Sequence, residues 1–272
     1  MSGSVKIGGS KNAALPLIAA SVLCKETRLE RVPKIKDVEN MLEIISFLGG
    51  KYEWSDSNSV VINTDNLVSK NLPESARKFR ASILFAGPML ARFGEAELPY
   101  PGGDIIGARP VDTHLNAFRK LGVEVEEKNN LSLKVKNLNG ARLVLDEPSV
   151  TATENILLLA AGMDKGVEVC LSAAEPHVQD LCRFLVSAGV EISGIGTTTL
   201  KLRGRKVFLN NVSHKVIPDD LEVSAFAVLA AATRRQITLA PVEFEYLDSV
   251  LLQLEKMRVN FRIEKNSLVI LP

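Results

Sequence analysis

Helical stretches of two kinds alternate along the chain, one kind apolar on nearly every side and the other with a charged face. A short strand, an amphipathic helix and a pair of alternating strands follow each apolar stretch. The apolar stretches are residues 13–20, 82–87, 156–161 and 226–231. Because a helix without a polar face must be covered on all sides, we predict that these four helices lie innermost.

The amphipathic helices end at a recurring small or turn-like position. The four junctions are Leu48-Gly49, Leu121-Gly122, Ala188-Gly189 and Met257-Arg258. They recur about every 70 residues, and so long a period is typical of duplicated units. Alternating runs after a junction, such as 123–126 and 131–135, predict a hairpin with one wet face. We therefore predict an α/β fold of four helix-strand-helix-hairpin units, with the strands outside the apolar helices rather than lining the middle.

Composition and charge narrow the possible partners. Lysine and arginine number 33 against 32 aspartates and glutamates, so no positive excess indicates a nucleic acid or a membrane surface. No run approaches the roughly 18 to 20 apolar residues that cross a bilayer, and the N-terminus lacks a secretion signal. We expect a soluble cytoplasmic protein in which Cys24, Cys170 and Cys182 are buried, with neither disulfide nor metal-ligand spacing.

A glycine-rich segment leads into the first apolar helix. Gly8-Gly9-Ser10 lets the backbone approach closely, and Lys11 and Asn12 then open the helix. A helix N-terminus favours negative charge, and a lysine adds a compact positive charge beside it. We predict an anion site at Lys11 and Asn12. The alternative is that Lys11 is an ordinary solvated side chain.

A second glycine-rich segment, residues 101–112, combines an acid with an arginine. Asp104 follows Pro101-Gly102-Gly103, and Arg109 lies five residues later. This composition suits a lid that closes over a charged ligand, because arginine holds phosphate through a planar fork and an aspartate can serve as an acid. The alternative is a surface turn in which Asp104 is merely a turn residue.

Three segments together resemble the signatures of the UDP-N-acetylglucosamine enolpyruvyl transferases. They are GSKNAALP at 9–16, RASI at 80–83, and PGG at 101–103 followed by IGARPVD at 106–112. The resemblance covers essentially the whole chain. It implies an inverted (inside-out) α/β barrel of two domains and six repeats, with the substrates in the cleft between the domains. It also implies transfer of an enolpyruvyl group from phosphoenolpyruvate to the 3′-hydroxyl of UDP-N-acetylglucosamine, the first committed step of cytoplasmic peptidoglycan synthesis.

Catalytic roles follow from the same resemblance. Lys11 and Arg109 would hold the phosphate of phosphoenolpyruvate, with Asn12 beside them. Asp104 stands at a lid position that is usually a cysteine, and it would protonate the methylene carbon of phosphoenolpyruvate. Arg80 would lie near the bound substrates. The resemblance implies no metal ion and no organic cofactor.

The resemblance also implies a uridine-nucleotide pocket built from two segments. The residues that would line it are Arg109, Pro110, Val111, Asp112 and Thr113 in the first segment, and Ser149 and Val150 in the second. Two neighbours depart from the family pattern, because Glu147 stands where a lysine often occurs and Thr151 where a glycine often occurs.

Four of the family's six repeats are present. We expect residues 1–10 to give a strand to the second domain, 11–216 to form a three-repeat domain, and 217–272 to form one repeat of a partial second domain. The family's catalytic base lies in the other repeats, so we expect this chain to be an incomplete form of the enzyme. Apolar residues of the fourth unit would then be poorly covered, namely Val228, Leu229, Leu251 and Leu254.

Two other functions stay open. A shikimate-pathway enolpyruvyl transferase shares the fold and takes a different hydroxyl substrate, although the string at 106–112 argues against it. A non-catalytic paralogue could keep the first domain as a nucleotide-sugar sensor, although a binder would not need an acid such as Asp104. We expect a monomer that binds phosphoenolpyruvate and UDP-N-acetylglucosamine, with neither a nucleic acid nor a membrane as partner.

Overall fold

A computed structural model describes residues 2–103, 110–205 and 210–272. Its elements repeat four times in the predicted order of helix, strand, helix and hairpin. Within each unit the first strand pairs with the third and the third with the second, and this order recurs in all four sheets. The predicted repeat is therefore confirmed in topology as well as in spacing.

The first two units contain the elements up to Val135. Before them, β1 spans Ser2–Lys6. The first unit comprises α1 (Lys11–Ala20), β2 (Glu26–Glu30), α2 (Lys36–Phe47), β3 (Lys51–Trp54) and β4 (Val60–Asn63). The second comprises a 3-10 turn (Arg80–Phe85), α3 (Ala86–Phe93), β5 (Glu95–Pro99), α4 (Asp112–Lys120), β6 (Val123–Glu127) and β7 (Asn130–Val135).

The last two units follow the same plan, each preceded by an extra strand. β8 (Ala141–Val144) precedes the third unit, which comprises α5 (Val150–Ala161), β9 (Val167–Cys170), α6 (Pro176–Ser187), β10 (Glu191–Ser193) and β11 (Thr199–Arg203). β12 (Val212–Lys215) precedes the fourth, which comprises α7 (Asp220–Thr233), β13 (Gln236–Ala240), α8 (Asp248–Lys256), β14 (Phe261–Glu264) and β15 (Ser267–Ile270). Further 3-10 turns lie at Ser21–Leu23, Glu74–Lys78 and Phe244–Tyr246.

Two strands are exchanged between the first and fourth units. Strand β1 precedes the first unit but pairs in parallel with β13, and β12 precedes the fourth unit but pairs in parallel with β2. The two connections run side by side, because Gly9 and Pro218 form an antiparallel bridge and the Ser10 amide donates to the Ile217 carbonyl at 2.9 Å. The chain thus crosses twice, at adjacent points, between the two units.

The predicted central position holds for α1 and α5. Every residue of α1 from Ala13 to Ala20 and every residue of α5 from Ala152 to Ala161 is buried. These helices belong to one large hydrophobic cluster that runs from Ala13 to Ile217. A second, smaller cluster contains Ile7 and nine residues between Val223 and Ile270.

The prediction was wrong for α7, the apolar helix of the fourth unit. Val228 and Leu229 are each 52% exposed, because no element in the described part of the chain packs on that side of the helix. The expectation of poor cover holds for these two residues. Leu254 contradicts it, since it is 1% exposed within the smaller cluster, and Leu251 is partly buried against the same cluster.

The apolar helix of the second unit differs from the prediction at its start. Residues 80–85 form a 3-10 turn, and the α-helix begins only at Ala86. The side-chain amide of Asn155 accepts a bond from the Gly87 amide at 2.8 Å and donates to the Ile83 carbonyl at 3.0 Å. These two backbone groups would bond each other in an α-helix, so the inserted amide breaks the helix at this point.

Candidate functional site

The start of α1 holds the first predicted anion-binding residues. Gly9 is required where the chain passes Arg31, because a Cβ at Gly9 would clash with the Arg31 carbonyl. Ser10 then caps the helix, its hydroxyl accepting a bond from the Ala13 amide at 3.4 Å. Lys11 and Asn12 are the first two helical residues, with Lys11 exposed and Asn12 half-buried.

The Lys11 ammonium lies 3.4 Å from a carboxylate oxygen of Asp37, at the start of α2. The two side chains are 46% and 42% exposed. An ion pair this open contributes only about 0–1 kcal/mol. The ammonium can therefore leave Asp37 for a better anion at little cost.

Arg80 joins two of the predicted segments. Its guanidinium donates to the Pro110 carbonyl at 2.9 Å, from the first position of the 3-10 turn. Two residues further on, Asp112 begins α4 and is exposed, whereas the side chains of Val111 and Thr113 are buried. In this arrangement Pro110 and Asp112 face solvent, and Val111 and Thr113 can offer a ligand only their backbone groups.

His114 connects the segment at Pro110 to the segment at Ser149. It is 1% exposed, with Nδ1 3.0 Å from the Asn155 side-chain nitrogen and Nε2 3.0 Å from the Thr151 hydroxyl. Burial, and then the nearby charge of Arg80, lower the pKa of His114 to about 3. The ring is therefore neutral at physiological pH.

The N-terminus of α5 provides unpaired amides at the same place. Ser149 is the capping residue, and its hydroxyl accepts a bond from the Ala152 amide at 3.4 Å. The amides of Val150 and Thr151 have no carbonyl partner within the helix, because they belong to its first turn. Together with the positive end of the helix dipole, these groups can bind phosphate oxygens.

Hydrogen bonds thus join Arg80 to Pro110 and His114 to Thr151, so two of the segments named for the pocket lie on connected elements. Within the described ranges, the bond that Lys11 forms goes to Asp37 and not to this group. Asp104 and Arg109 lie outside the described residues. Gly102 precedes them and has no room for a side chain, because a Cβ there would clash with the Arg77 carbonyl.

Sequence reasoning missed three buried polar residues, His114, Asn155 and Glu154. His114 and Asn155 carry the contacts just described. Glu154 is 1% exposed, its Oε1 has no hydrogen-bond partner in the described part of the protein, and burial raises its pKa well above the usual value. The signal was present, since a polar side chain on an otherwise apolar helix needs a partner or a reason to lack one.

The three cysteines are buried and unpaired, as predicted. Burial raises the pKa of Cys24 to about 11 and that of Cys182 to about 12. Both are therefore thiols rather than nucleophilic thiolates at neutral pH. Among the helices of the described ranges, none has both the length and the apolarity needed to cross a membrane.

Comparison with known proteins places the whole chain in one family. EPSP synthase (3-phosphoshikimate 1-carboxyvinyltransferase) is the family that matches, over residues 1–271. The chain belongs to the EPSP synthase family. Relatives from Bradyrhizobium diazoefficiens, Treponema denticola and Campylobacter hominis are each named UDP-N-acetylglucosamine 1-carboxyvinyltransferase.

The relative from Bradyrhizobium diazoefficiens is 42% identical over 272 residues, which is 99% of this chain and 63% of the relative. Relatives from Treponema denticola and Campylobacter hominis are 42% and 39% identical and are covered to 64% and 66% of their length. This chain therefore spans slightly less than two thirds of the length of these relatives. The resemblance noted from its motifs is confirmed.

Solved structures of the family share the fold. The enolpyruvyl transferase NikO from Streptomyces tendae superposes with a TM-score of 0.86 at 19% identity, over 99% of this chain and 65% of that one. EPSP synthase from Acinetobacter baumannii superposes with a TM-score of 0.73 at 20% identity, over 99% of this chain and 63% of that one. The fold of this EPSP synthase family member is thus the inverted α/β barrel, represented by four of its helix-strand-helix-hairpin units.

Proposed function

We propose that this chain is part of an enzyme that transfers the enolpyruvyl group of phosphoenolpyruvate to the 3′-hydroxyl of UDP-N-acetylglucosamine, for peptidoglycan synthesis. One observation carries the proposal: relatives named for this activity are about 40% identical over at least 99% of the chain. The site geometry supports it, because Arg80 binds the Pro110 carbonyl and His114 of the following helix binds Thr151 at the start of α5, where a diphosphate could bind.

The chemistry proposed for the site is addition followed by elimination. Asp104 donates a proton to the methylene carbon of phosphoenolpyruvate, and the 3′-hydroxyl oxygen attacks the adjacent carbon while its proton passes to the family's catalytic base in the other repeats. This gives a tetrahedral intermediate. The intermediate then loses phosphate from that carbon and returns a proton from its new methyl group to the Asp104 carboxylate, which gives the enolpyruvyl ether. Lys11 and Arg109 stabilise the phosphate charge, with Asn12 beside them, and no metal or cofactor takes part.

The weak pairing of Lys11 with Asp37 suits this role. A phosphate dianion beside the ammonium offers more charge than one exposed carboxylate, so Lys11 can exchange partners when phosphoenolpyruvate arrives. Lys11 is also exposed at the N-terminus of α1, where the positive end of the helix dipole attracts the same anion.

The proposal extends to the division of the chain and to its surroundings. Residues 11–216 would form a three-repeat domain, and 217–272 with the strand from 1–10 would belong to a second one. The two hydrophobic clusters and the pairing of β1 with β13 support this division. The enzyme would act as a cytoplasmic monomer on two small-molecule substrates, without a nucleic acid or membrane partner.

Binding and turnover with alternative acceptors test the function. The purified protein is titrated by calorimetry with UDP-N-acetylglucosamine and with shikimate 3-phosphate, each with phosphoenolpyruvate present, and phosphate release is followed in parallel. The proposal requires binding of the nucleotide sugar and not of shikimate 3-phosphate. Preference for shikimate 3-phosphate would support the shikimate-pathway activity, and binding of the nucleotide sugar without any binding of phosphoenolpyruvate would support a sensor.

A further inference from the structure

The side-chain amide of Asn155 has one possible orientation. Its oxygen accepts a bond from the Gly87 amide at 2.8 Å, and its nitrogen donates to the Ile83 carbonyl at 3.0 Å. A backbone N–H can only donate and a backbone carbonyl can only accept, so exchanging the oxygen and nitrogen would lose both bonds. The second hydrogen on the nitrogen must then be the one donated to His114 Nδ1 at 3.0 Å.

This orientation determines the tautomer of His114. A neutral imidazole carries one hydrogen, and because Nδ1 accepts from Asn155, that hydrogen lies on Nε2. The ring is buried, and Arg80 nearby opposes a positive charge on it. Nε2 therefore donates to the Thr151 hydroxyl oxygen at 3.0 Å.

Because the donor and the acceptor of each of these hydrogen bonds are fixed, the hydrogen of the Thr151 hydroxyl is free to be donated to another group. The oxygen of this hydroxyl accepts from His114, so its hydrogen must point to some other acceptor. Within residues 2–103, 110–205 and 210–272, no protein group accepts it. Thr151 is half-buried at the second position of α5, next to the unpaired amides of the first turn. An anion at this helix end would meet the hydroxyl and the amides together.

We propose that Asn155, His114 and Thr151 form a relay of fixed polarity that presents the Thr151 hydroxyl hydrogen to a phosphate group of a nucleoside diphosphate sugar. Thr151 is the contacting residue and His114 the positioning residue. The proposal rests on the proposed function, since it concerns the same pocket. It adds that the Thr151 hydroxyl, and not only the backbone of this segment, determines affinity for the diphosphate.

Substitutions at Thr151 separate the hydroxyl from the shape of the side chain. Thr151→Val keeps the shape and loses the hydroxyl, and we expect it to weaken calorimetric binding of UDP and of UDP-N-acetylglucosamine about tenfold, as for one lost bond to a charged group. Thr151→Ser keeps the hydroxyl and should bind within about twofold of the original protein, on the same scale. Thr233→Val is the matched control, because that hydroxyl bonds only carbonyls of its own helix. Thermal melting checks that each variant is folded.

Nitrogen-15 NMR of the histidine rings tests the relay without a ligand. His114 should show the neutral tautomer with hydrogen on Nε2 at every pH from about 8 to 5, and Thr151→Val should leave this tautomer unchanged because Asn155 imposes it. A hydrogen on Nδ1, or protonation of His114 near the ordinary pKa of about 6.5, would overturn the relay.

The outcomes distinguish the relay from the proposed function. If the original protein binds UDP-N-acetylglucosamine and Thr151→Val binds it equally well, the relay is wrong and the function stands. If the original protein binds neither UDP nor UDP-N-acetylglucosamine, both proposals fail. Tenfold weaker binding by Thr151→Val, restored by Thr151→Ser, together with the Nε2 tautomer supports the relay.

Discussion

The buried carboxyl of Glu154 should make the folding stability of the protein depend on pH. In the unfolded chain it ionises above about pH 4.5, whereas in the folded protein burial and then the charge of Glu175 keep it protonated to a higher pH. Between those two pKa values the unfolded state binds fewer protons than the folded state. Folding stability contributed by this group is therefore present at low pH and is lost as pH rises.

Replacing Glu154 by glutamine should remove that loss. Glu154→Gln keeps the shape and cannot ionise, so the variant should melt at least about 3 °C above the original protein at pH 8, which corresponds to roughly 1 kcal/mol. At pH 4.5 the two should melt much closer together. Glu255→Gln, on the exposed side of α8, is the control and should behave alike at both pH values. An equal difference at pH 4.5 and pH 8 would contradict the assignment of a protonated Glu154.

Lys11 and Arg109 should each govern affinity for phosphoenolpyruvate. A charged hydrogen bond to phosphate contributes about 1.5–3 kcal/mol, so Lys11→Ala and Arg109→Ala should each weaken binding at least tenfold. Calorimetry with UDP-N-acetylglucosamine present measures this, and Lys134→Ala, an exposed lysine on β7, is the control. Binding within threefold of the original protein for both variants would remove these residues from the phosphate site.

Residues that bind through charge were easier to predict than residues that act through position. Lys11 follows a glycine-rich segment whose composition indicates an anion site, Arg80 was named through the family resemblance, and the structure places both at helix starts. His114 and Asn155 lie within helices, and no local motif distinguishes them from their neighbours. Their importance depends on a bond between positions 41 residues apart, which no local pattern contains.

At the scale of elements, the four helix-to-hairpin junctions share a backbone conformation as well as a position. Gly49, Gly122 and Gly189 have φ of 100°, 93° and 99°, and Arg258 at the fourth junction has φ of 56°. A residue with a side chain is strained in this left-handed region by about 1 kcal/mol or more. The repeat therefore requires positive φ at every junction, and the fourth unit meets the requirement with a less suitable residue.

Arg258→Gly should stabilise the fourth unit. Relief of the left-handed strain is partly offset by the greater entropy of glycine in the unfolded chain, so we expect a gain of about 0.5–1 kcal/mol. Gly122→Ala is the opposite test, because its Cβ would clash with the Asn137 carbonyl, and it should lose more than about 1 kcal/mol. Urea denaturation measures both. A destabilised Arg258→Gly variant would mean that the arginine side chain makes a contribution larger than its strain.

The order of elements was predictable from the hydrophobic period, whereas the interruption of the second apolar helix near Phe85 was not. Strands such as β6 and β7 alternate strictly and pair in the expected hairpin. The 3-10 turn before α3 depends on Asn155, which lies 72 residues from the Ile83 carbonyl that it binds. A helix that local sequence favours can thus be broken by one side chain from another helix.

At the scale of the whole molecule, the chain crosses twice between the first and fourth units. β1 supplies the fourth unit although it comes first in sequence, and β12 supplies the first unit although it immediately precedes α7. The repeat count predicts a boundary near residue 216, and the proposed boundary would lie after β12 because that strand pairs with β2 of the first unit. Burial on α7 could not be predicted from its sequence, because its apolar residues are the same on the covered and uncovered sides.

Local stability should therefore change abruptly between Lys215 and Asp220. In α7 only Val223, Ala227 and Ala230 of the described side chains are buried, whereas α5 buries ten consecutive residues, six of which belong to the larger cluster. Opening free energy follows the apolar surface that an element buries, so amides of α7 and β13 should exchange with deuterium at least about tenfold faster than those of α1 and α5. β12 is the internal control, because it is next to α7 in sequence but paired with β2, and it should be protected like the larger cluster.

Native-state hydrogen exchange read by mass spectrometry makes the comparison, and limited proteolysis should cut first within residues 216–222. Equal protection of α7 and α5 would show that the two hydrophobic clusters open as one cooperative unit, and the proposed division of the chain would then be wrong.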